Sequence, residues 1–258
     1  MDAVSIEVIT LIKKLQALES LKFFSLGGGT NLALRFQHRK SDDIDLFTER
    51  IIGRKGYEKI LSEVKNHLGI KIISSQFPCD ENDQFIFARF FILEGSLTIK
   101  VEILQNMKLT QPIDIVEGIK LISKIDIGLF KLVSASNRLA KKDIYDLDYI
   151  SEEIPLNELF CFLAKKKKKY SLPSDQTIFS LDGENCPLEQ PQLLLKFDEK
   201  KPSSGSIPNH SNDTIYQLAG KPWNAAKYSY RKKVRDYYAK IGFDYQFKHW
   251  AKQTKKNS

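Results

Sequence analysis

An α/β fold, a mixed sheet followed by a helical region, is what this 258-residue chain predicts on three observations. Phe23-Phe24-Ser25-Leu26 is short and apolar and runs into Gly27-Gly28-Gly29, as a buried strand ending in a tight turn does. Residues 97–104 alternate apolar and polar side chains behind the turn signal Glu94-Gly95-Ser96, the mark of a hairpin strand. Beyond Ser123 the apolar positions recur at helical spacing.

The elements follow in order. Residues 4–21 carry Ile9, Ile12, Leu15 and Leu18 with Lys13, Lys14, Gln16 and Glu19 between them, an amphipathic helix. After the glycines, Thr30 opens a second helix. Its free amides and the positive end of its dipole suit an anion. A strand follows through Asp43-Ile44-Asp45-Leu46, with the two carboxylates on one face and Ile44 and Leu46 on the other. Residues 48–53 read as a loop. Residues 57–68 read as a helix with Ile60, Leu61, Val64 and Leu68 inward, stopped by Gly69. Strands are predicted over 71–75, 85–93 and 97–104, and in the last Val101 and Ile103 oppose Lys100 and Glu102.

Ser123-x-x-Asp126 has the form of a capping box and opens a helix through Arg138. A helix beginning near Lys141 or Lys142 puts Asp143 and Asp146 on one face and Ile144, Leu147 and Ile150 in a core stripe. A third covers 153–164, and 173–191 reads as loop. Residues 200–212 are rich in Lys, Pro, Ser, Gly and Asn, a linker.

Two carboxylates on one strand face are hard oxygen ligands suited to Mg²⁺. Beside a glycine-rich phosphate cradle, they supply what nucleotidyl transfer needs. Neither the glycine run nor Asp-x-Asp is specific alone, since a flexible turn and a solvated strand end account for each. Together, one helix apart, they are specific. Gly28-Gly29-Thr30, His38-Arg39-x-Ser41-x-Asp43-x-Asp45 and Leu46-Phe47 resemble the AbiEii/AbiGii-type toxins of the DNA polymerase β-like nucleotidyltransferase superfamily; Gly27 is an extra glycine. Lys131, Ala135, Arg138, Lys142-Asp143 and Asp146-Leu147 are similar to the family's second motif, with lysine where arginine is common.

The resemblance covers roughly residues 5–200. It implies a polymerase β-like mixed-sheet core (1–110), a helical domain completing the site (111–200) and an extension outside the family pattern (201–258). It implies that Asp43, Asp45 and Glu102 hold Mg²⁺ or Mn²⁺, with Glu102 the third carboxylate. Gly28, Gly29, Thr30 and Ser41 would bind the nucleotide, Lys131 the phosphates of the NTP substrate, and Asp143 or Asp146, the first choice being Asp143 directly after the basic residue, would be needed for activity. The implied activity is transfer of NMP to RNA, a tRNA 3′ end foremost, by the toxin of a type IV toxin–antitoxin or abortive-infection pair with a cognate antitoxin. Nucleotidylation of a protein hydroxyl and a non-catalytic RNA- or nucleotide-binding module are the alternatives.

Composition sets the bounds. Cys79, Cys161 and Cys186 are scattered, against a disulfide framework or zinc site. No apolar run approaches 20 residues and Asp2 and Glu7 sit where a signal peptide is basic, so the expectation is a cytoplasmic protein without a membrane partner. Residues 1–164 hold 21 basic against 23 acidic side chains, and residues 165–258 hold 19 against 9. That asymmetry suits a polyanion such as RNA, or else a solvated lysine-rich surface. Lys165 to Lys169 and the aromatic–basic stretch after 214, with Trp223, Tyr228, Tyr230, Tyr237, Tyr238, Phe247 and Trp250, carry the same choice: RNA contact, or a helical unit with an aromatic core.

Overall fold

The computed structural model describes residues 2–67, 71–79, 82–138, 140–181, 183, 185–198, 214–218 and 220–245. The linker reading at 200–212, Leu68, Gly69, Phe247 and Trp250 lie outside them.

Helix α1 (Ile6–Ala17) is capped by Ser5, whose hydroxyl accepts from Val8 N, and buries Leu11, Ile12 and Leu15. β1 (Ser25–Leu26), α2 (Gly28–Phe36) and β2 (Ile44–Phe47) form the strand–helix–strand unit. α3 (Gly53–His67) is followed by β3 (Lys71–Cys79), β4 (Phe87–Glu94) and β5 (Leu97–Leu104). β3 extends four residues past the predicted stretch, across shifts in its pairing with β4. β4 begins at Phe87 because residues 82–85 turn, with Phe85 N donating to Asn82 O.

Two short strands were not foreseen: β6 (Asp114–Val116) and β7 (Ile119–Leu121). Three residues carry no readable period. Their turn is tight because Glu117 and Gly118 both take positive φ, 50° and 79°. The seven-stranded sheet has the order β3-β4-β5-β2-β1-β7-β6, mixed, with β2/β5 and β1/β7 parallel. It therefore continues past residue 110.

The helical layer comprises α4 (Lys124–Asn137), α5 (Lys141–Glu153), α6 (Leu156–Lys169), α7 (Ile178–Leu181) and α8 (Trp223–Ile241). Ser123 caps α4, accepting from Asp126 N at 3.0 Å. The Asp126 carboxylate accepts from Thr110 N, Thr110 Oγ1 and Gln111 N, fastening the loop after β5 to the helix start. α6 starts at Leu156, three residues later than predicted, because α5 runs to Glu153 and Pro155 sets the new start. The five lysines are its last turns, where cations offset the helix dipole.

Among the described residues the buried apolar side chains form two cores. One face of the sheet, with Ile44, Leu46, Val101 and Ile103, packs under α1 and α3. The second core joins Phe47, Leu104 and the helical layer, and includes Tyr230, Val234, Tyr237 and Tyr238 of α8. The opposite sheet face carries Asp45 and Glu102, with Phe47 and Leu104 of the same face packing into the second core.

Candidate active site

Gly28 has φ of 60°, and a methyl group there would overlap Asp45 Oδ2. The turn and the acid strand are thus in contact, which only glycine permits. A methyl on Gly27 would come within 2.7 Å of the Phe47 ring, so the extra glycine also has a packing reason. Gly27 N donates to Asp45 O at 2.7 Å, tying the turn to β2. A methyl on Gly29 would overlap Arg39 Nη2. Thr30 and Ser41 share a hydrogen bond of 2.9 Å, and Thr30 Oγ1 also donates to Asp43 O. Nucleotide-binding candidates Gly28, Gly29, Thr30 and Ser41 therefore surround the start of α2.

β2 and β5 run parallel with Asp45 opposite Glu102. Burial pushes the Asp45 carboxyl up to about 7, the Glu102 charge adds to this and Lys100 opposes it. Burial acts on Glu102 in the same direction, but Lys100 and Arg89 outweigh it and hold its carboxyl low. Arg89 Nε donates to Glu102 Oε1 at 2.6 Å. Lys100 Nζ lies 3.1 Å from Asp43 Oδ2 and 3.3 Å from Glu102 Oε2. Lys100 is thus the built-in counter-ion of this acid set.

Among the described residues no three His, Cys, Asp or Glu side chains already stand at metal-binding separation. The donor set still fits a hard divalent cation, being all carboxylate oxygen. The Lys100 ammonium lies between Asp43 and Glu102.

The second half of the site comes from α4 and α5. Lys131 Nζ is 2.6 Å from Asp143 Oδ1 and 2.8 Å from Asp146 Oδ2. Although burial opposes it, these two acids keep the lysine charged. Its charge also reaches Asp45. Asp146 is fully buried and accepts from Arg39 Nε at 2.6 Å and Nη2 at 2.7 Å, a bidentate pair, and lies 2.8 Å from His38 Nε2. Burial alone would raise its carboxyl; Arg39 and Lys131 hold it well below the usual range. Asp143, at the edge of the pair, meets Lys131 directly. Both acids are buried, but Asp146 takes Arg39, His38 and Lys131 at once, whereas Asp143, the acid favoured from sequence, meets Lys131.

His38 and Arg39 sit in the motif that carries the resemblance, but sequence reasoning gave them no part in the site. The signal available was two basic residues just upstream of Ser41-x-Asp43-x-Asp45. Their partner lies over a hundred residues away, so only the fold reveals it. Arg138 stacks on Phe179, its guanidinium 5.3 Å from the ring centre.

The aromatic–basic stretch resolves mostly into core. Tyr230, Tyr237 and Tyr238 are buried, Tyr237 stacks on Phe160 at 4.2 Å, and Lys221 and Lys233 pair with buried Asp148. Tyr228 remains exposed. In the lysine run, Lys166 is buried over the Phe130 ring and Lys167 pairs with Glu189. These aromatic residues face inward because apolar surface outweighs the desolvation of their hydroxyls.

A family description, nucleotidyl transferase AbiEii toxin of type IV toxin–antitoxin systems, matches residues 11–202. The chain belongs to this family. MenT4, a nucleotidyltransferase toxin from Mycobacterium tuberculosis H37Rv, has a similar structure, with a TM-score of 0.57 and 13% identity over 89% of this chain and 82% of that one. At that identity the likeness shows the fold. No curated protein matches the sequence. As a member of the AbiEii family the chain is a nucleotidyltransferase toxin, which implies an NTP substrate and an antitoxin. Among the described residues no helix is long and apolar enough to cross a membrane.

Proposed function

We propose that this AbiEii-family toxin moves a nucleoside monophosphate from an NTP to the 3′ hydroxyl of an RNA, a tRNA acceptor end foremost. The observation that carries the reading is Asp45 packed against Gly28 beside Glu102, which joins phosphate cradle and acid set in one cleft. The amides of Gly28, Gly29 and Thr30 and the Ser41 hydroxyl hold the triphosphate. Lys131, charged and flanked by Asp143, neutralises it. Asp43, Asp45 and Glu102 would hold Mg²⁺ or Mn²⁺, which when bound neutralises the triphosphate and steadies the leaving pyrophosphate. The 3′ oxygen attacks the α-phosphorus, the bond to the β-phosphate breaks, and Glu102 takes the hydroxyl proton. NTP and RNA as substrates place the reaction in the cytoplasm.

The test is one assay: purified protein, Mg²⁺ and each of four labelled NTPs, with total RNA and total protein offered as acceptors. Label in RNA from one NTP is expected. Label confined to protein would move the reading to protein nucleotidylation. Binding without transfer would reduce the chain to a nucleotide-binding module.

A further inference from the structure

We infer that residues 214–218, with Gly220 and Lys221, which lie beyond the family-matched stretch, form a strap that positions the nucleotide cleft through His38, Arg39 and Asp146. The inference rests on the nucleotidyltransferase reading of that cleft.

The strap adds itself to the edge of the segment that carries the signature motif. Lys40 N donates to Tyr216 O at 2.9 Å, Arg39 and Gln217 form an antiparallel bridge, and Leu218 N donates to His38 O at 3.5 Å. Leu218 packs against the first core. The chain then crosses α5. Tyr145 Oη donates to Lys221 O at 2.7 Å, and Lys221 N donates to Tyr149 Oη at 2.6 Å. Both tyrosine rings flank His38: Tyr145 is stacked at 5.6 Å and 7°, and Tyr149 lies at 4.7 Å. Gly220 sits against all three partners; a methyl there would come 2.6 Å from each tyrosine hydroxyl and 2.7 Å from His38 O. Lys221 Nζ also lies 2.9 Å from Asp148 Oδ2, so the strap is fastened at both ends.

What the strap presses on is the buried side of the active site. His38 and Arg39 hold Asp146, Asp146 holds Lys131, and Arg39 lies against Gly29 of the phosphate cradle. His38 Nδ1 is buried without a hydrogen-bond partner, so the imidazole is fixed by Asp146 and the two rings. Backbone pairing and ring packing are the means by which a rigid surrounding holds a catalytic group in place. The described residues 214–218, Gly220 and Lys221 therefore serve the cleft.

The test uses full-length protein carrying Tyr145→Phe and Tyr149→Phe together, which keeps both rings and removes the two hydroxyl links to Lys221. A Gly220→Val variant serves as the second lesion. Two readouts are taken well below the melting temperature: hydrogen exchange of the amides at 28–31 and 38–40, and affinity for a non-hydrolysable NTP with Mg²⁺. Losing the two hydroxyl links is expected to weaken NTP affinity by at least about fivefold, about 1 kcal/mol, with faster exchange at both segments. A lower melting temperature with unchanged exchange at 28–31 and unchanged NTP affinity overturns the inference. Should the wild-type protein bind no NTP, the enzymatic reading fails, and the exchange at 28–31 still decides the strap.

Discussion

The two halves of the cleft are built on opposite plans. On the strand side, Asp43 and Glu102 are matched by Lys100 and Arg89, side chains about a third exposed. On the helix side, Asp146 is fully buried and takes Arg39, His38 and Lys131 at once. The difference separates acids paired with part-exposed cations from an acid paired in a dry interior. A carboxylate with a replaceable counter-ion suits a site that a metal and triphosphate must enter. A carboxylate held by a bidentate guanidinium in a dry interior is scaffold, and its removal leaves charges buried without a partner.

Asp146→Ala gives the largest expected change. Breaking a buried charge network costs about 3–5 kcal/mol, so the variant should lose much of its stability and its activity together, read by denaturant unfolding. Stability within 1 kcal/mol of wild type, about the worth of a surface pair, would place Asp146 with the exchangeable acids instead. Lys100→Met is expected to act in the opposite sense. With its internal cation gone, the acid set should bind Mn²⁺ about tenfold more tightly, about 1.4 kcal/mol, in a direct titration without nucleotide. Equal or weaker binding would show that Lys100 does not occupy the cation's place.

Lys166 offers an effect of similar size away from the cleft. Burial pushes its ammonium down to about 8, against partial support from Asp126 and Glu49. A lysine with a lowered folded pKa binds fewer protons folded than unfolded between pH 8 and its ordinary value, so wild-type stability rises with pH across that window. Below it, the buried charge is a penalty. Lys166→Met should therefore be more stable than wild type by about 1–2 kcal/mol at pH 7, with the gap closing toward pH 10. A gap independent of pH would mean that packing, not charge, sets the difference.

Much of this contrast was legible in the sequence, and unevenly. The strand side could be read because its signals are local: glycines need the turn, Asp43 and Asp45 share a face by period, and the alternation of residues 97–104 puts Glu102 opposite Val101 and Ile103, while its place beside the acid pair came from the family resemblance. Lys131, Asp143 and Asp146 were legible as helix neighbours but not as different kinds of acid, since burial comes from tertiary packing. The strap had no local signal. Gln217 meets Arg39 across 178 positions, and pairing at that range is a property of topology. In α8, the alternation of aromatic and basic residues fits an RNA surface and a core helix equally, and packing against α5 and α6 decides it. β6 and β7 were too short to show a period, and the lysine run hid the end of α6 because lysine continues a helix as readily as it solvates one.

The central claim is that the glycine turn and the acid strand grip one nucleotide. Its most direct measurement compares wild-type and Asp45→Ala proteins for incorporation of labelled NMP into RNA, with folding checked by circular dichroism. Incorporation by the wild type and none by the folded variant is the predicted result. Equal incorporation by both would contradict it.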